Sequence, residues 1–230
     1  MVKEGYYFGL PLLVLGGASY LLQWNAAAVV LVLLALFVFS FFRDPERAIP
    51  GEAGAVVSPG DGRVVVVTDE ENAGRPGKRI SIFLAVWNVH VNRSPAAGTI
   101  TNLEYRPGKF LAAMRERASV ENEQNVFTLW TAAGEMEFKQ IAGLIARRVV
   151  SWKKPGENVG LGERIGLMRF SSRMDVWLPK EAELLVKPGE SVKGGISVLA
   201  RWPGKSVAGK LDEKTPAETY ENLTTTGKRS

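Results

Sequence analysis

Between Tyr6 and Phe42 the chain carries no charged side chain. No other stretch limits the possible folds as strongly. Gln23-Trp24-Asn25 interrupts it once, leaving Tyr6–Leu22 and Ala26–Phe42, each 17 residues long. A helix that crosses a bilayer needs about 20 apolar residues and at least about 17. The pattern therefore predicts two short spans or one shallow hairpin, and residues 1–43 form a membrane anchor. A cleavable signal has a shorter apolar core. A buried helical hairpin of a soluble protein is the competing reading, and the complete lack of charge argues against it. Lys3 precedes the first segment, Arg43 and Arg47 follow the second, and the turn between them has no Lys or Arg. By the positive-inside rule both ends, and the body that follows, face the cytoplasm at the inner cell membrane.

The formal net charge of +5 calls for anionic partners. Beside a membrane anchor that means anionic lipid rather than nucleic acid, and no nucleic-acid-binding motif occurs. The chain has no cysteine and one histidine. Disulfides, thiolate nucleophiles and multi-histidine metal sites are thereby excluded within one chain. Any imidazole acid–base step must use His90.

After Arg43 the texture changes. Asp44-Pro45-Glu46-Arg47 and Pro50-Gly51 mark a boundary. Short apolar runs then alternate with Gly/Pro turns: 56–57 and 64–67, 80–91, 99–105, 125–131, 136–142, 148–152, 164–170, 173–178 and 182–186. Such runs predict a mainly β body, a sandwich or barrel, over residues 44–204. Pro107–Arg117 is expected to be helical, with Phe110, Leu111 and Met114 at helical spacing. Residues 205–230 read as a polar tail. Lys154-Pro155-Gly156-Glu157-Asn158-Val159 recurs 33 residues later as Lys187-Pro188-Gly189-Glu190-Ser191-Val192. These repeats resemble the hairpin halves of lipoyl and biotinyl carrier domains, but a serine pair stands between them where a carrier has its modifiable lysine.

Three stretches carry candidate chemistry. Ser58-Pro59-Gly60-Asp61-Gly62 is a turn presenting a carboxylate, and Asn88–Pro95 holds His90. Leu167–Trp177 contains Ser171 and Ser172. Asp, His and Ser are the parts of an orienter, base and nucleophile. Asp-Gly is also an ordinary turn, a lone His is often structural, and a Ser pair is often polar surface. Spacing alone does not bring the three together.

In order along the chain, Phe41–Arg47, Ser58–Gly62, Asn88–Pro95, Glu121–Asn125, Gln140–Gly143 with Ala146–Arg148, and Leu167–Leu178 resemble the motifs of the small, self-processing phosphatidylserine decarboxylases of bacteria and archaea. The resemblance runs from about residue 40 to 200. It implies that Ser172 attacks the carbonyl of Ser171, with His90 as base and Asp61 fixing the imidazole tautomer. The chain would then be cut between 171 and 172 into a β chain (1–171) and an α chain (172–230) that stay associated. Ser172 would become a pyruvoyl group that decarboxylates phosphatidylserine to phosphatidylethanolamine, with no metal. His90 would be the proton donor, and Arg93, Arg169 and Arg173 would be candidates for the lipid phosphate. The family has glycine where Ser171 stands, so processing is expected to be slow or blocked. Three alternatives are a decarboxylase of archaeal-type ether lipids carrying phosphoserine, an unprocessed non-catalytic membrane-tethered β scaffold, and a soluble amino-acid decarboxylase. A homodimer is compatible with all of these readings.

Overall fold

The computed structural model describes residues 1–144, 148–169 and 171–202. Two helices open the chain, α1 (Lys3–Leu21) and α2 (Asn25–Phe41). The strands are β1 (Ala55–Val57), β2 (Gly62–Asn72), β3 (Arg75–Leu84), β4 (Val91–Arg93) and β5 (Gly98–Arg106), followed by a one-turn helix, α3 (Ala118–Glu121). Then come β6 (Gln124–Thr131), β7 (Gly134–Ala142), β8 (Val149–Ser151), β9 (Asn158–Val159) and β10 (Arg164–Met168). The last four are β11 (Ser172–Pro179), β12 (Glu183–Leu184), β13 (Ser191–Val192) and β14 (Val198–Arg201). The expected polar tail, 205–230, lies outside the described residues.

One eight-stranded antiparallel sheet dominates, in the order β13-β2-β3-β11-β7-β6-β5-β9. Two three-stranded sheets, β4-β10-β8 and β1-β14-β12, complete the β body. The large sheet is built as two similar halves, β13-β2-β3-β11 and β9-β5-β6-β7. The repeated Lys-Pro-Gly-Glu segments cap its two ends. Gly156 and Gly189 take φ of 89° and 95°, a region where a Cβ costs about 1 kcal/mol or more. Gly156 N donates to Ile100 O (2.7 Å) and Gly189 N to Val64 O (2.8 Å). In return, Ile100 N donates to Glu157 O and Val64 N to Glu190 O, both at 2.9 Å. The sequence echo is thus the same turn placed twice, once on β5 and once on β2.

Alternation along the strands buries one continuous core. Val64, Ile80, Ile82, Leu84, Phe127, Leu129, Phe138, Met174 and Val176 are all buried in it. Phe127 and Phe138, register partners on β6 and β7, stack at 4.6 Å. The mainly β expectation holds, with three differences. Residues 107–117 do not form a helix; only α3 follows them, and Met114 is exposed rather than core. Pro107-Gly108 opens this segment, and the Leu111 backbone spends its N–H and C=O on the Asn122 side chain instead of on a helical ladder. The run 80–91 is two strands, because the Asn88 side chain and backbone fold a turn back onto Ala85. β3 also begins earlier than expected, at Arg75, where polar residues pair with the outer end of β2.

α1 and α2 pack as an antiparallel pair whose base is seated on the body. Phe41 and Phe42 are buried against Val89, Val91 and Leu167. Val2 N donates to Phe42 O at 3.1 Å. Among the described residues no helix is long and apolar enough to cross a membrane, so of the two arrangements expected from the sequence the structure gives no support to two spans.

Candidate active site

The site lies where the small sheet β4-β10-β8 meets β11 and β7 of the large one. Ser172 is the first residue of β11. It pairs with Leu84 on one side and Ala142 on the other, so it is held in the middle of the sheet rather than at an edge. Its side chain is fully buried, and its Oγ has no hydrogen-bond partner. Burying a hydroxyl without a partner costs about 1–3 kcal/mol, so such a group is kept for what it does rather than for what it holds.

Ser171 precedes it with φ of 40°, in the left-handed region. Glycine adopts that shape freely, whereas a residue with a Cβ is strained by about 1–2 kcal/mol. The Ser171 carbonyl is pressed onto Gly143: a Cβ built there would sit 2.1 Å from the Ser171 oxygen. The bond between Ser171 and Ser172 is therefore tightly confined and carries backbone strain on its N-terminal side.

His90 is fully buried beside the start of β4, and its carbonyl accepts from Met168 N at 3.1 Å. Its Nδ1 lies 2.9 Å from the Asn88 carbonyl oxygen, a pure acceptor. Nδ1 therefore carries the proton, and the unprotonated Nε2, buried and without a partner, is free to act as a base. The imidazole lies against Phe41, with ring centres 4.3 Å apart and planes tilted by 32°, so the base of the helical hairpin forms one wall of the site. Burial pushes the His90 pKa down to about 4 from 6.5; Arg43 adds to the fall and the Asn88 carbonyl opposes it.

A depressed folded-state pKa means that the unfolded chain binds the proton more readily. The fold therefore loses stability as pH falls from 6.5 towards 4, by about 3 kcal/mol in all. Neutral His90 stays available over the same range. The rate at which a 172–230 fragment appears is accordingly expected to be flat from pH 8 to about 5 and to fall only near pH 4. A time course of cleavage on denaturing gels over that range checks this; a midpoint near 6.5 would exclude buried His90 as the base.

Asp61 does not take the expected place behind the imidazole. Both its oxygens receive the Arg47 guanidinium, at 3.0 and 2.9 Å, and Oδ1 also accepts from Gly194 N at 2.8 Å. The tautomer of His90 is set by a backbone carbonyl instead, because the Asn88 turn brings that carbonyl to Nδ1. Arg47 is the residue that sequence reasoning missed here. The same segment supplies Asp44, which pairs with Arg93 (3.4 Å) and Arg164 (2.7 Å), and Glu46, which pairs with Arg164 (2.8 Å). Asp-Pro-Glu-Arg is thus a clasp tying the hairpin exit to the β body. Its Asp/Glu/Arg composition was the available signal, but its partners lie far off in sequence.

The three candidate arginines are placed differently. Arg93 is buried and bonds the Gly162 and Pro45 carbonyls as well as Asp44. Arg173 is fully buried on the sheet face opposite Ser172. It reaches Asp175 at 2.6 Å, Ser81 at 2.6 Å and the Arg115 carbonyl at 3.3 Å. Neither reaches a surface where a lipid phosphate could bind, because each already serves carboxylates and carbonyls inside the fold. Arg169 alone is partly exposed; its guanidinium lies 5.4 Å from the Phe8 ring centre, against α1, and its Nε has no partner. The large groove lined by Pro50, Ala96, Leu161 and Trp202, about 340 Å³, includes none of these residues.

This part of the fold holds a buried hydroxyl, a strained peptide bond on its N-terminal side and a buried neutral imidazole against the helical pair. His90 Nε2 and Ser172 Oγ are each without a hydrogen-bond partner, so the two are not bonded to each other in the uncut chain. The family profile described as phosphatidylserine decarboxylase matches residues 34–200. The phosphatidylserine decarboxylase proenzyme of Solibacter usitatus is 50% identical over 205 residues, covering 87% of this chain and 96% of the relative. Proenzymes of the same name from Symbiobacterium thermophilum (46% over 207 residues; 88% and 96% covered) and Magnetococcus marinus (43% over 210 residues; 89% and 96% covered) are also similar. By these matches over most of its length, the chain belongs to the phosphatidylserine decarboxylase family.

Proposed function

We propose that this chain is a proenzyme that cuts itself between Ser171 and Ser172 and then decarboxylates phosphatidylserine at the membrane surface. The observation that carries the reading is the buried, unpartnered Ser172 hydroxyl next to the left-handed Ser171. His90 Nε2 takes the hydroxyl proton as Oγ attacks the Ser171 carbonyl carbon. The C–N bond breaks, the Ser172 nitrogen gains a proton, and an ester joins the two pieces. Loss of the Ser172 α-proton expels the Ser171 carboxylate and leaves dehydroalanine. Its tautomer adds water and releases ammonia, giving a pyruvoyl end. A buried serine at the start of a central strand fits such a group, which supplies an electron sink for loss of CO2 from the serine head group. In the decarboxylation, His90 Nε2 would first take a proton from the substrate's ammonium group and then give it to the carbon that lost CO2. The Asn88 carbonyl keeps the other proton on Nδ1, so that Nε2 is the nitrogen that exchanges protons in both reactions. Asp61 acts at one remove, holding Arg47 and the Gly194 amide so that the 58–62 turn stays fixed against the clasp.

The hairpin is read as embedded in the bilayer from one face without crossing it. Tyr7, Val14, Leu21 and Trp24 are 72%, 71%, 80% and 64% exposed, an apolar surface that water does not favour. Both hairpin ends and the body lie on one side, and Lys3 and Arg43 flank it, which suits the cytoplasmic face of the inner membrane. Arg169, beside the hairpin base, is the side chain best placed to meet the lipid phosphate.

Intact mass under denaturing conditions, with release of CO2 from phosphatidylserine in mixed vesicles, tests the reading. Ser171→Gly is expected to be cut faster than the parent, because without a Cβ the backbone can move from its left-handed starting shape towards the tetrahedral centre by routes closed to serine. The relieved strain itself, about 1–2 kcal/mol, stabilises the uncut chain. If the glycine chain also stays whole, self-processing is wrong.

A further inference from the structure

The runs Glu121–Asn125 and Gln140–Gly143 meet beside the bond to be cut, and neither has a role in the steps derived from Ser172 and His90. Gly143 directly follows β7, the strand next to β11. The Ser171 carbonyl lies against it: a Cβ built on Gly143 would be 2.1 Å from the Ser171 oxygen and 3.0 Å from the carbonyl carbon. A residue with a side chain could not let the two backbones come this close.

The direction of the Gly143 N–H follows from its own peptide unit. Ala142 N donates to Glu123 O at 2.9 Å, and the Ala142 oxygen accepts from Asn122 Nδ2 at 2.7 Å. Both polar groups of Ala142 therefore face the β6 side of β7. The Ala142–Gly143 bond is trans, so its N–H points away from its C=O. β11 lies on that other side, with Ser172 the register partner of Ala142. The Gly143 N–H is thus turned towards the carbonyl of residue 171. Asn122 is buried, and its side chain is clamped by the N–H and C=O of Leu111, at 2.9 Å each. The bond it gives to the Ala142 oxygen polarises the peptide and strengthens the N–H as a donor. Ala113 is buried, and its Cβ is 3.3 Å from the same built position. It helps to keep bulk water from the carbonyl, and a fixed donor is worth more in a dry site.

We propose that the Gly143 N–H donates to the oxyanion formed at the Ser171 carbonyl during self-cleavage, with Asn122 as the positioning residue that aims and polarises its peptide. The proposal rests on reading Ser172 as the attacking group. On attack, the carbonyl π pair moves onto the Ser171 oxygen. The Gly143 N–H donates to it without giving up its proton, and the pair returns as the C–N bond breaks.

The test follows the 172–230 fragment over time in full-length chains carrying Ser171→Gly, made by cell-free synthesis. Glycolic acid in place of Gly143 turns the amide into an ester, which deletes the N–H and fills no extra space. It is expected to slow cleavage by about 10²–10³-fold, the usual loss for one oxyanion donor. The same replacement at Ile141, the register partner of Arg173, removes an N–H from the same strand but not at the reacting carbonyl. Its rate should stay close to the parent's. Asn122→Asp keeps the acceptor for Leu111 N and loses the donor to Ala142 O. It should be slow at pH 8 and recover by about tenfold at pH 5, as the carboxyl gains a proton it can donate. The parent chain should be flat over that range. A parent rate in the Gly143 ester, or equal slowing by the two esters, would overturn the proposal. If the Gly143 ester does not fold, the aspartate profile decides, and a pH-independent rate overturns it. Cleavage of a Ser172→Ala chain would instead overturn the underlying reading of the serine.

Discussion

Ser172→Ala leaves the chain as one full-length species, with no 172–230 fragment and no release of CO2 from phosphatidylserine. Loss of an activated serine nucleophile costs on the order of 10⁶ in rate elsewhere, and here it also removes the source of the electrophile. The same substitution should not weaken the fold. The Ser172 Oγ makes no hydrogen bond in its buried site, so deleting it relieves an uncompensated desolvation of about 1–3 kcal/mol. A small cavity offsets part of that gain. The expected result is a chain that is inactive yet as stable as the parent or more so, read from intact mass and from urea unfolding of the uncut protein. A drop of several kcal/mol in stability would mean that the hydroxyl is structural and that the absent partner has been misjudged.

Arg173→Met should do the opposite, damaging the fold first. Arg173 and Asp175 are paired inside the protein, and Asp175 also faces Ser119 and Arg79. Arg79 in turn binds Glu70 and Glu116. Removing one partner of a buried ion pair costs about 3–5 kcal/mol, because the other charge stays buried without full compensation. Replacing both, as in Arg173→Met with Asp175→Leu, should recover a good part of that loss. Arg173 would be the second residue of the α chain, while Ser81 and the Arg115 carbonyl, which it binds, belong to the β chain. The single variant is therefore also expected to let the cut fragments separate at lower urea. Unfolding midpoints of the single and double variants, measured before and after cleavage, check both points. Equal midpoints for Arg173→Met and the parent would show that the buried charges contribute nothing net.

Much of the site was legible because its parts are local. The charge-free hairpin, the lone histidine and the serine pair between two β runs can each be read from a few adjacent residues. The mainly β body followed from alternation and turn chemistry. What could not be read were pairings between distant segments. Nothing adjacent to Asp61 says that Arg47 will occupy both its oxygens, and nothing beside His90 marks the Asn88 carbonyl as the group on Nδ1. Arg173 looked like a surface cation next to the serine, but strand alternation, with Asp175 two residues on, turns it into the opposite, buried face. The helix expected over Pro107–Arg117 failed because three apolar residues at helical spacing did not outweigh Pro107-Gly108 and the Asn122 side chain that captures Leu111. Arg75-Pro76-Gly77 reads as a loop, yet it pairs with β2 because the sheet extends past its own core.

β11 lies fourth of eight strands, bonded along its length to β3 and to β7, which precede it in the chain. This position dictates the order of biosynthesis. A strand in the interior of a sheet has no free edge to join once its neighbours have paired, so β11 is best laid into place while still connected to the chain before it. Two halves translated from separate messages would let β3 and β7 close on each other or on foreign strands before the missing piece arrived. Under the proposed self-cleavage, covalent continuity would be needed only until the strand is seated, and scission would follow in the finished fold.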